Sequence, residues 1–368
     1  MLRNVGEERS LSMKLYADRI ARSLAGQCEI RDVLPWSPSG AGWQKYRPVT
    51  KAAGYVARFG AYPLTLVRKK GDVYHIVDHA YAHLVSCLPA RRTVVTCHDI
   101  MLHKVARGEF GSAVRLPKVA ARLLNFSLGF LAKSAAVIAT SQATADDLMK
   151  YIDVPREKIR VIHNGVGPEF AAPPHPQSRR AARSQFGFGE RPVILHVGNN
   201  WFYKNLEGLI RALALLKDSP SGGRPILVKV GKGLTEGQQA LARSLGVSEL
   251  IREVGLLNDG ELQSAYWGAD VLAFPSLWEG FGWPPLEAMA SGTPVVCSSR
   301  GSLGEVVGDA ALIVEPEEPE SIAGGIRRVL EDGSLRQRLV QKGYRRAEEF
   351  AWEKAAAQVL QVYKEVGG

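Results

Sequence analysis

The 368 residues suit two domains of roughly 100–200 residues, each able to bury a core of its own. A composition of 46% hydrophobic and 23% charged residues excludes the disordered and fibrous classes. The net charge of +10, from 47 Lys and Arg against 37 Asp and Glu, favours nucleotide phosphates, anionic lipid or nucleic acid as partners, but it is spread along the chain, which argues against a nucleic-acid tail. The cysteines Cys28, Cys87, Cys97 and Cys297 lie far apart in apolar stretches and show no metal-ligand spacing, so they read as reduced, mostly buried thiols of a cytoplasmic protein. The N-terminus has no apolar signal-peptide core, and no apolar run is long enough to span a bilayer.

In chain order, LSMKLYADRIARSLAG reads as a helix with Met13, Tyr16, Ile20 and Leu24 on one face. The strand that normally feeds such a helix is missing from the pattern, and Gly6 is expected in the loop that would follow it. CEIRDVLPW reads as a strand and Pro35 to Pro48 as a loop carrying Trp36 and Trp43. GDVYHIVDHAYAHLV predicts a strand and a helix, on which His79 and His83 would share a face. RRTVVTCHDI predicts a strand ending at His98 and Asp99. The basic segment from Arg115 to Lys133 predicts an amphipathic helix, followed by the strand AAVIAT, a helix capped by Ser141 and the strand KIRVIHNG.

AAPPHPQSRRAARSQ changes the composition and reads as a linker. Strand and helix then alternate again: PVILHVGNN, KNLEGLIRALALLK, PILVKVG, LTEGQQALARSLG, ELIREVG, NDGELQSAYWG and ADVLAF. Such alternation signals a parallel sheet covered on both faces. AALIVE is expected as the last strand, with two or three helices between Ser321 and Val366.

The stretch FPSLWEGFGWPPLEAMASGTPVVCSSR sets Glu279 in a glycine-rich turn and Glu287, eight positions on, in a helix. By itself a turn with two carboxylates reads as a solvated surface loop. At the carboxyl end of a parallel strand it reads as a ligand loop, with a helix start that offers N–H groups to an anion.

VILHVGNNWFYKNLEGLIRAL, EVGLLNDGELQSAYWGADVLAFPSLWEGFGWPPLEAMASGTPVV and GSLGEVVGDAALIVEP resemble the nucleotide-sugar domain of the retaining group-1 (family 4) glycosyltransferases. The likeness is specific from about Arg191 to Val366, weaker from Asp72 to Gly165 and thin before Gly54. It implies the GT-B fold, two Rossmann-like doubly wound α/β domains facing a cleft. The expected division is an acceptor-side domain 1–172, a linker 173–190, a nucleotide-sugar domain 191–349 and a helix 350–368 that crosses back onto the first domain.

The resemblance further implies that Glu279 contacts the donor sugar, with Phe281 and Gly282 nearby, and that Glu287 holds the ribose hydroxyls. Carboxylates suit both tasks, because they accept two hydrogen bonds from vicinal hydroxyls. It places Lys204 against the donor diphosphate, with Gly198, Asn199, Lys232 and Leu256 on the same donor side. An arginine usually stands near that lysine. Here Asn199, Asn200 and Tyr203 hold the candidate positions, leaving Lys232 or Arg300 as the second cation.

His98 is implied to reach the donor sugar, with Gly6 and Asp99 on the acceptor side; Asp99 can equally cap the next segment. His75, His79 and His83 read as structural. The implied reaction is sugar transfer from a nucleotide-diphosphate donor to a glycan, lipid-linked or small-molecule acceptor with retention. It needs no cofactor or metal and no nucleic acid. The protein would be cytoplasmic, with peripheral contact on the inner face of a membrane left open by the basic helix. A nucleotide-sugar epimerase or hydrolase and a non-catalytic binding protein are the rival readings.

Overall fold

The computed structural model describes residues 1–3, 11–34, 54–67, 69–111, 116–171, 175–217 and 223–368. Gly6, Trp36 and Trp43 lie outside these residues. The chain divides into two compact units, Met1–Gly165 with Trp352–Gly368, and Val166–Ala351.

In the first unit, short apolar strands line up in parallel in the order β1 (Tyr74–Ile76), β2 (Thr93–Cys97), β3 (Ala136–Ala139) and β4 (Ile159–Val161). Every residue of β2 and β3 is buried, as expected where both faces of a parallel sheet are covered. Beyond β1, Leu2 makes parallel bridges to both Ile76 and Val33, and its N–H donates to the His75 carbonyl at 2.7 Å. Among the described residues, the edge position expected to lack a strand is thus held by Leu2. CEIRDVLPW likewise contributes a single bridge, at Val33, rather than a strand.

His79–Cys87 is a 3-10 helix, not an α-helix. With three residues per turn, His79 and His83 fall on different faces. His83 is spent on Ser127 at 2.9 Å and the Arg58 carbonyl at 3.1 Å. His75 bonds the Tyr363 hydroxyl at 2.6 Å and Thr96 Oγ1 at 2.7 Å, and Tyr16 also meets Thr96. Tyr363 belongs to the terminal helix Trp352–Gly367, which buries Trp352, Ala355, Ala356, Val359 and Val362 within this unit. Ser141 caps the helix Gln142–Ile152 by accepting from the Thr144 N–H at 3.0 Å.

The second unit is a six-stranded parallel sheet, in the order β10 (Ala311–Ile313), β9 (Val295–Cys297), β8 (Val271–Phe274), β5 (Val193–Val197), β6 (Ile226–Val230) and β7 (Ile251–Gly255). From β5 the chain winds outward through β6 and β7, then returns to pair β8 against the other side of β5. That reversal leaves the carboxyl ends of β5 and β8 side by side with connections departing in opposite directions, the place where open α/β sheets bind ligands.

The stretch read as a linker is in part a helix, Pro176–Gln185, and it belongs to this unit. Proline at its first position suits a helix start. Arg179 and Arg183 clamp Asp270 at 2.6 and 3.2 Å and donate to the carbonyls of Trp267, Gly268 and Ala269. The unit boundaries thus fall at Gly165/Val166 and Ala351/Trp352. The arginines suggested a solvated linker in sequence because their partners lie about ninety residues away.

Candidate functional site

At the reversal, β5 runs into Gly198 and a short 3-10 turn, Phe202–Lys204, and β8 runs into the loop carrying Glu279. The structure joins these two: Lys204 Nζ lies 2.7 Å from Glu279 Oε1, and Ser276 Oγ donates to the same oxygen at 2.7 Å. Lys204 and Glu279 are 8% and 7% exposed. A pair so far removed from water holds its geometry because either charge alone would be costly there. Lys204 Nζ also stands 4.8 Å above the Phe274 ring, a cation–π contact that orients the ammonium.

The Glu279 loop is pinned from outside. Its carbonyl accepts from the Ser302 N–H at 3.0 Å and from Ser302 Oγ at 3.1 Å, and Ser302 Oγ reaches the Phe281 carbonyl at 2.7 Å. Gly282 has φ +105°, and a Cβ there would stand 2.7 Å from Leu303, so only glycine makes this turn without strain. Phe281 is buried edge-on to Trp283 and Phe350. Glu287, on the helix Trp283–Ala290, is 9% exposed and accepts from the Tyr266 hydroxyl at 2.8 Å. Burial and the neighbouring carboxylate push the Tyr266 hydroxyl's pKa well up, so it stays protonated and donates. One feature differs from the sequence expectation. Pro284 and Pro285 occupy the first turn of this helix, and proline has no N–H, so the helix start offers an anion few donors.

The neighbouring candidates divide. Asn199 turns inward on its own loop, its Oδ1 accepting from the Trp201 N–H at 3.1 Å, and Asn200 donates to the Gly233 carbonyl. Lys232 is exposed, and Leu256 is 84% exposed after β7. Arg300 forms surface ion pairs with Glu315 and Glu317 at 3.1 and 3.2 Å, which occupies its guanidinium. Two further buried groups escaped the sequence reading, His196 on β5 and Lys229 on β6, which are partners in register. Burial and the charge of Lys229 push the His196 pKa down to about 3, so it is neutral. Their sequence signal was a polar residue inside an otherwise unbroken apolar strand.

In the first unit, His98 follows β2 and is 6% exposed. Its Nε2 lies 2.9 Å from the Val77 carbonyl, which fixes the proton on that nitrogen. Tyr16 packs edge-on against the ring at 5.0 Å. Burial lowers the His98 pKa, so the ring is neutral and Nδ1 keeps its lone pair. Asp99 Oδ1 accepts from the Met101 N–H at 2.8 Å, one residue before the cap of the helix Met101–Ala106. Cys97 and Cys297 are buried, Cys28 is half-buried and Cys87 is exposed; all four are free. Among the described residues no three His, Cys, Asp or Glu side chains gather as a metal site would require.

The description "Glycosyl transferases group 1" matches residues 178–346, and "Glycosyltransferase Family 4" matches residues 18–170. O-antigen chain mannosyltransferase B of Escherichia coli is 30% identical over 297 residues, 80% of this chain and 74% of that protein. This chain belongs to the group-1 glycosyltransferases.

An uncharacterized glycosyltransferase of Methanocaldococcus jannaschii is 33% identical over 238 residues, 63% of this chain and 60% of that protein. D-inositol 3-phosphate glycosyltransferase of Streptomyces avermitilis is 32% identical over 258 residues, 67% of this chain and 55% of that protein. The chain thus spans 55% to 74% of these relatives' lengths. Sucrose-phosphate synthase from Thermosynechococcus elongatus superposes with a TM-score of 0.76 at 21% identity, covering 96% of this chain and 92% of that one. HepE of Anabaena, in complex with UDP-glucose, gives a TM-score of 0.76 at 21% identity over 99% and 98%. The fold is GT-B, two parallel-sheet α/β domains.

Replacing Glu279 with Leu should destabilise the protein by about 3–5 kcal/mol, because Lys204 is left buried without its counter-charge. The double change Glu279→Leu, Lys204→Met should cost much less than the sum of the single changes, read from urea unfolding at pH 7. Additive costs would show that the two charges do not interact.

Proposed function

We propose that the chain transfers a hexose from a nucleotide-diphosphate sugar to an acceptor hydroxyl with retention of anomeric configuration. The observation that carries this reading is the buried Lys204–Glu279 pair across the ends of β5 and β8. A cation and a carboxylate held together there match the two unlike ends of a donor, a phosphate that gains charge as the bond breaks and a sugar rich in hydroxyls.

In this reading Lys204 stabilises the departing diphosphate and Glu279 accepts hydrogen bonds from the transferred sugar. Glu287 has one oxygen steadied by the Tyr266 hydroxyl and takes the vicinal ribose hydroxyls. Neutral His98 offers a sugar hydroxyl a hydrogen-bond acceptor at Nδ1. Glu279 is tied to Lys204 and Ser276, which disfavours it as the nucleophile of a double displacement. The acceptor oxygen therefore attacks from the face the diphosphate leaves. The new C–O bond forms as the C–O bond to phosphate breaks, and the acceptor proton passes to the departing phosphate oxygen. No divalent ion is needed in this scheme. Family membership favours transfer over epimerisation, hydrolysis or mere binding. A hexose donor draws support from relatives named as mannosyltransferases and from the UDP-glucose bound to HepE.

The acceptor class proposed is a glycan, lipid-linked or small molecule, met in the cytoplasm or at the inner face of a membrane. No helix among the described residues is long and apolar enough to cross a bilayer. The helix Lys118–Leu128 instead exposes Val119 at 63% and Phe126 at 54% beside the exposed Lys118 and Arg122, a mixture suited to an anionic lipid surface.

Screening UDP-, GDP- and ADP-hexoses by thermal shift should single out one nucleotide class, since a ligand of the folded state raises its midpoint. With that donor, Glu279→Ala should lower kcat/KM for transfer by roughly 100-fold or more, and donor hydrolysis without acceptor should be slow. Full transfer by Glu279→Ala, or hydrolysis as fast as transfer, would overturn the assignment. Cosedimentation with vesicles containing anionic lipid should be lost at high salt and in Lys118→Glu, Arg122→Glu protein. Equal sedimentation with neutral vesicles would contradict a charge-driven contact, and no sedimentation with anionic vesicles would contradict membrane contact altogether.

A further inference from the structure

In the first unit, Arg58 carries a guanidinium that is held in place but not hydrogen-bonded. It lies on a single π-helical turn, Ala57–Ala61, a rare conformation met frequently at functional positions. Its guanidinium carbon stands 4.5 Å from the centre of the Tyr81 ring and 5.0 Å from that of Phe59, two cation–π contacts that orient the group. Its Nε is buried without a hydrogen-bond partner. Asp78, the carboxylate that acts on it, is turned to other donors: its Oδ1 accepts from the Ala80 N–H at 2.8 Å and lies 3.5 Å from His79 Nδ1. Burial lowers the Arg58 pKa, with Tyr81, Asp78 and Tyr55 acting the other way, and an arginine keeps its charge throughout.

The backbone of Arg58 is fixed as well. His83 Nε2 donates to the Arg58 carbonyl at 3.1 Å. Because a carbonyl can only accept, the proton is on Nε2, and Nδ1 accepts from Ser127 Oγ at 2.9 Å. Burial pushes the His83 pKa down to about 4, which keeps this ring neutral, and it lies against Phe59 with the ring centres 4.3 Å apart. Tyr81 and His83 belong to the helix that follows β1, and β1 pairs with β2, the strand that leads into His98. Asp78 is among the charges that act on both Arg58 and His98. Arg58 therefore sits at the carboxyl ends of the first unit's strands, where open parallel sheets meet their ligands.

We propose that Arg58 is an acceptor-binding residue and that the group it grips is acidic, a phosphate or a carboxylate carried by the acceptor. The inference rests on the reading of this chain as a sugar transferase and adds a charge to its acceptor. A guanidinium laid over two rings keeps N–H groups at its edge for a planar, two-pronged contact, which carboxylate and phosphate oxygens both match. A lysine in its place would keep the charge and lose the fork.

Calorimetric titration with glucose, galactose and mannose, their phosphate esters and their uronates tests this, with the donor site first filled by UDP, GDP or ADP. The wild type should bind at least one acid about 10-fold or more tightly than its neutral sugar, the size of one charge-assisted hydrogen bond. Which acid is preferred separates phosphate from carboxylate. Arg58→Gln should abolish the preference while leaving affinity for the nucleoside diphosphate unchanged, and Arg58→Lys should retain only part of it. A wild type that prefers no acid, or a preference that survives Arg58→Gln, overturns the inference. Loss of the nucleoside diphosphate along with the acid in Arg58→Gln also overturns it, since that is the mark of a structural role. Should Arg58→Gln fail to fold, an acid preference undiminished in Arg58→Lys overturns the two-pronged contact. A wild type that binds none of the three nucleoside diphosphates overturns the donor reading, an outcome separate from the comparison of acids with neutral sugars.

Discussion

The reversal of strand order between β5 and β8 is the constraint on which the second unit's chemistry depends. A parallel sheet needs long crossover connections, and where they diverge the two strand ends are left uncovered by either. The residues that follow those ends are Lys204 and Glu279, and their ion pair closes the gap. Each neighbouring device serves the same geometry: Ser276 and Ser302 hold the Glu279 loop, Gly282 turns it toward the next helix, and Tyr266 steadies Glu287. The prolines that start this helix remove backbone donors, which leaves the helix start few N–H groups to offer.

In the first unit the analogous constraint is a buried polar chain rather than an ion pair. Tyr363 on the terminal helix, His75 on β1, Thr96 on β2 and Tyr16 on the first helix are joined through hydrogen bonds. Burial pushes the His75 pKa down to about 3, so the chain is made of neutral groups whose mutual hydrogen bonds replace those lost to water. His98 sits beside it, against Tyr16, with its tautomer set by Val77. The terminal helix, though last in sequence, is thus part of the frame on which His98 rests.

Much of this was legible in the amino-acid sequence. Apolar runs interrupted by a single polar residue, such as VILHV and ILVKV, mark strands buried on both faces, and Glu279 and Gly282 stand out in a turn between strand and helix, with Glu287 in the helix that follows. What escaped was set by partners distant in sequence. Among the described residues Leu2 alone of its segment bridges to Ile76 and Val33, and a single bridge leaves no periodicity to read. Arg179 and Arg183 look like a solvated linker until Asp270 is seen beside them. The 3-10 geometry of His79–Cys87 separates two histidines that α-helical spacing would bring together. Lys229 was passed over as one polar residue in a strand, since only the register with His196 and the nearby Gly198 carbonyl reveal it as a buried charge.

The central claim is that the loops after β5, β6 and β8 together hold a nucleoside diphosphate. Hydrogen exchange followed by mass spectrometry, with and without saturating UDP, GDP or ADP, tests it most directly. The account predicts slowed exchange in the segments 198–206, 229–234 and 276–290 with one of the three nucleotides. Slowed exchange confined to other segments, or none with any of them, would contradict it.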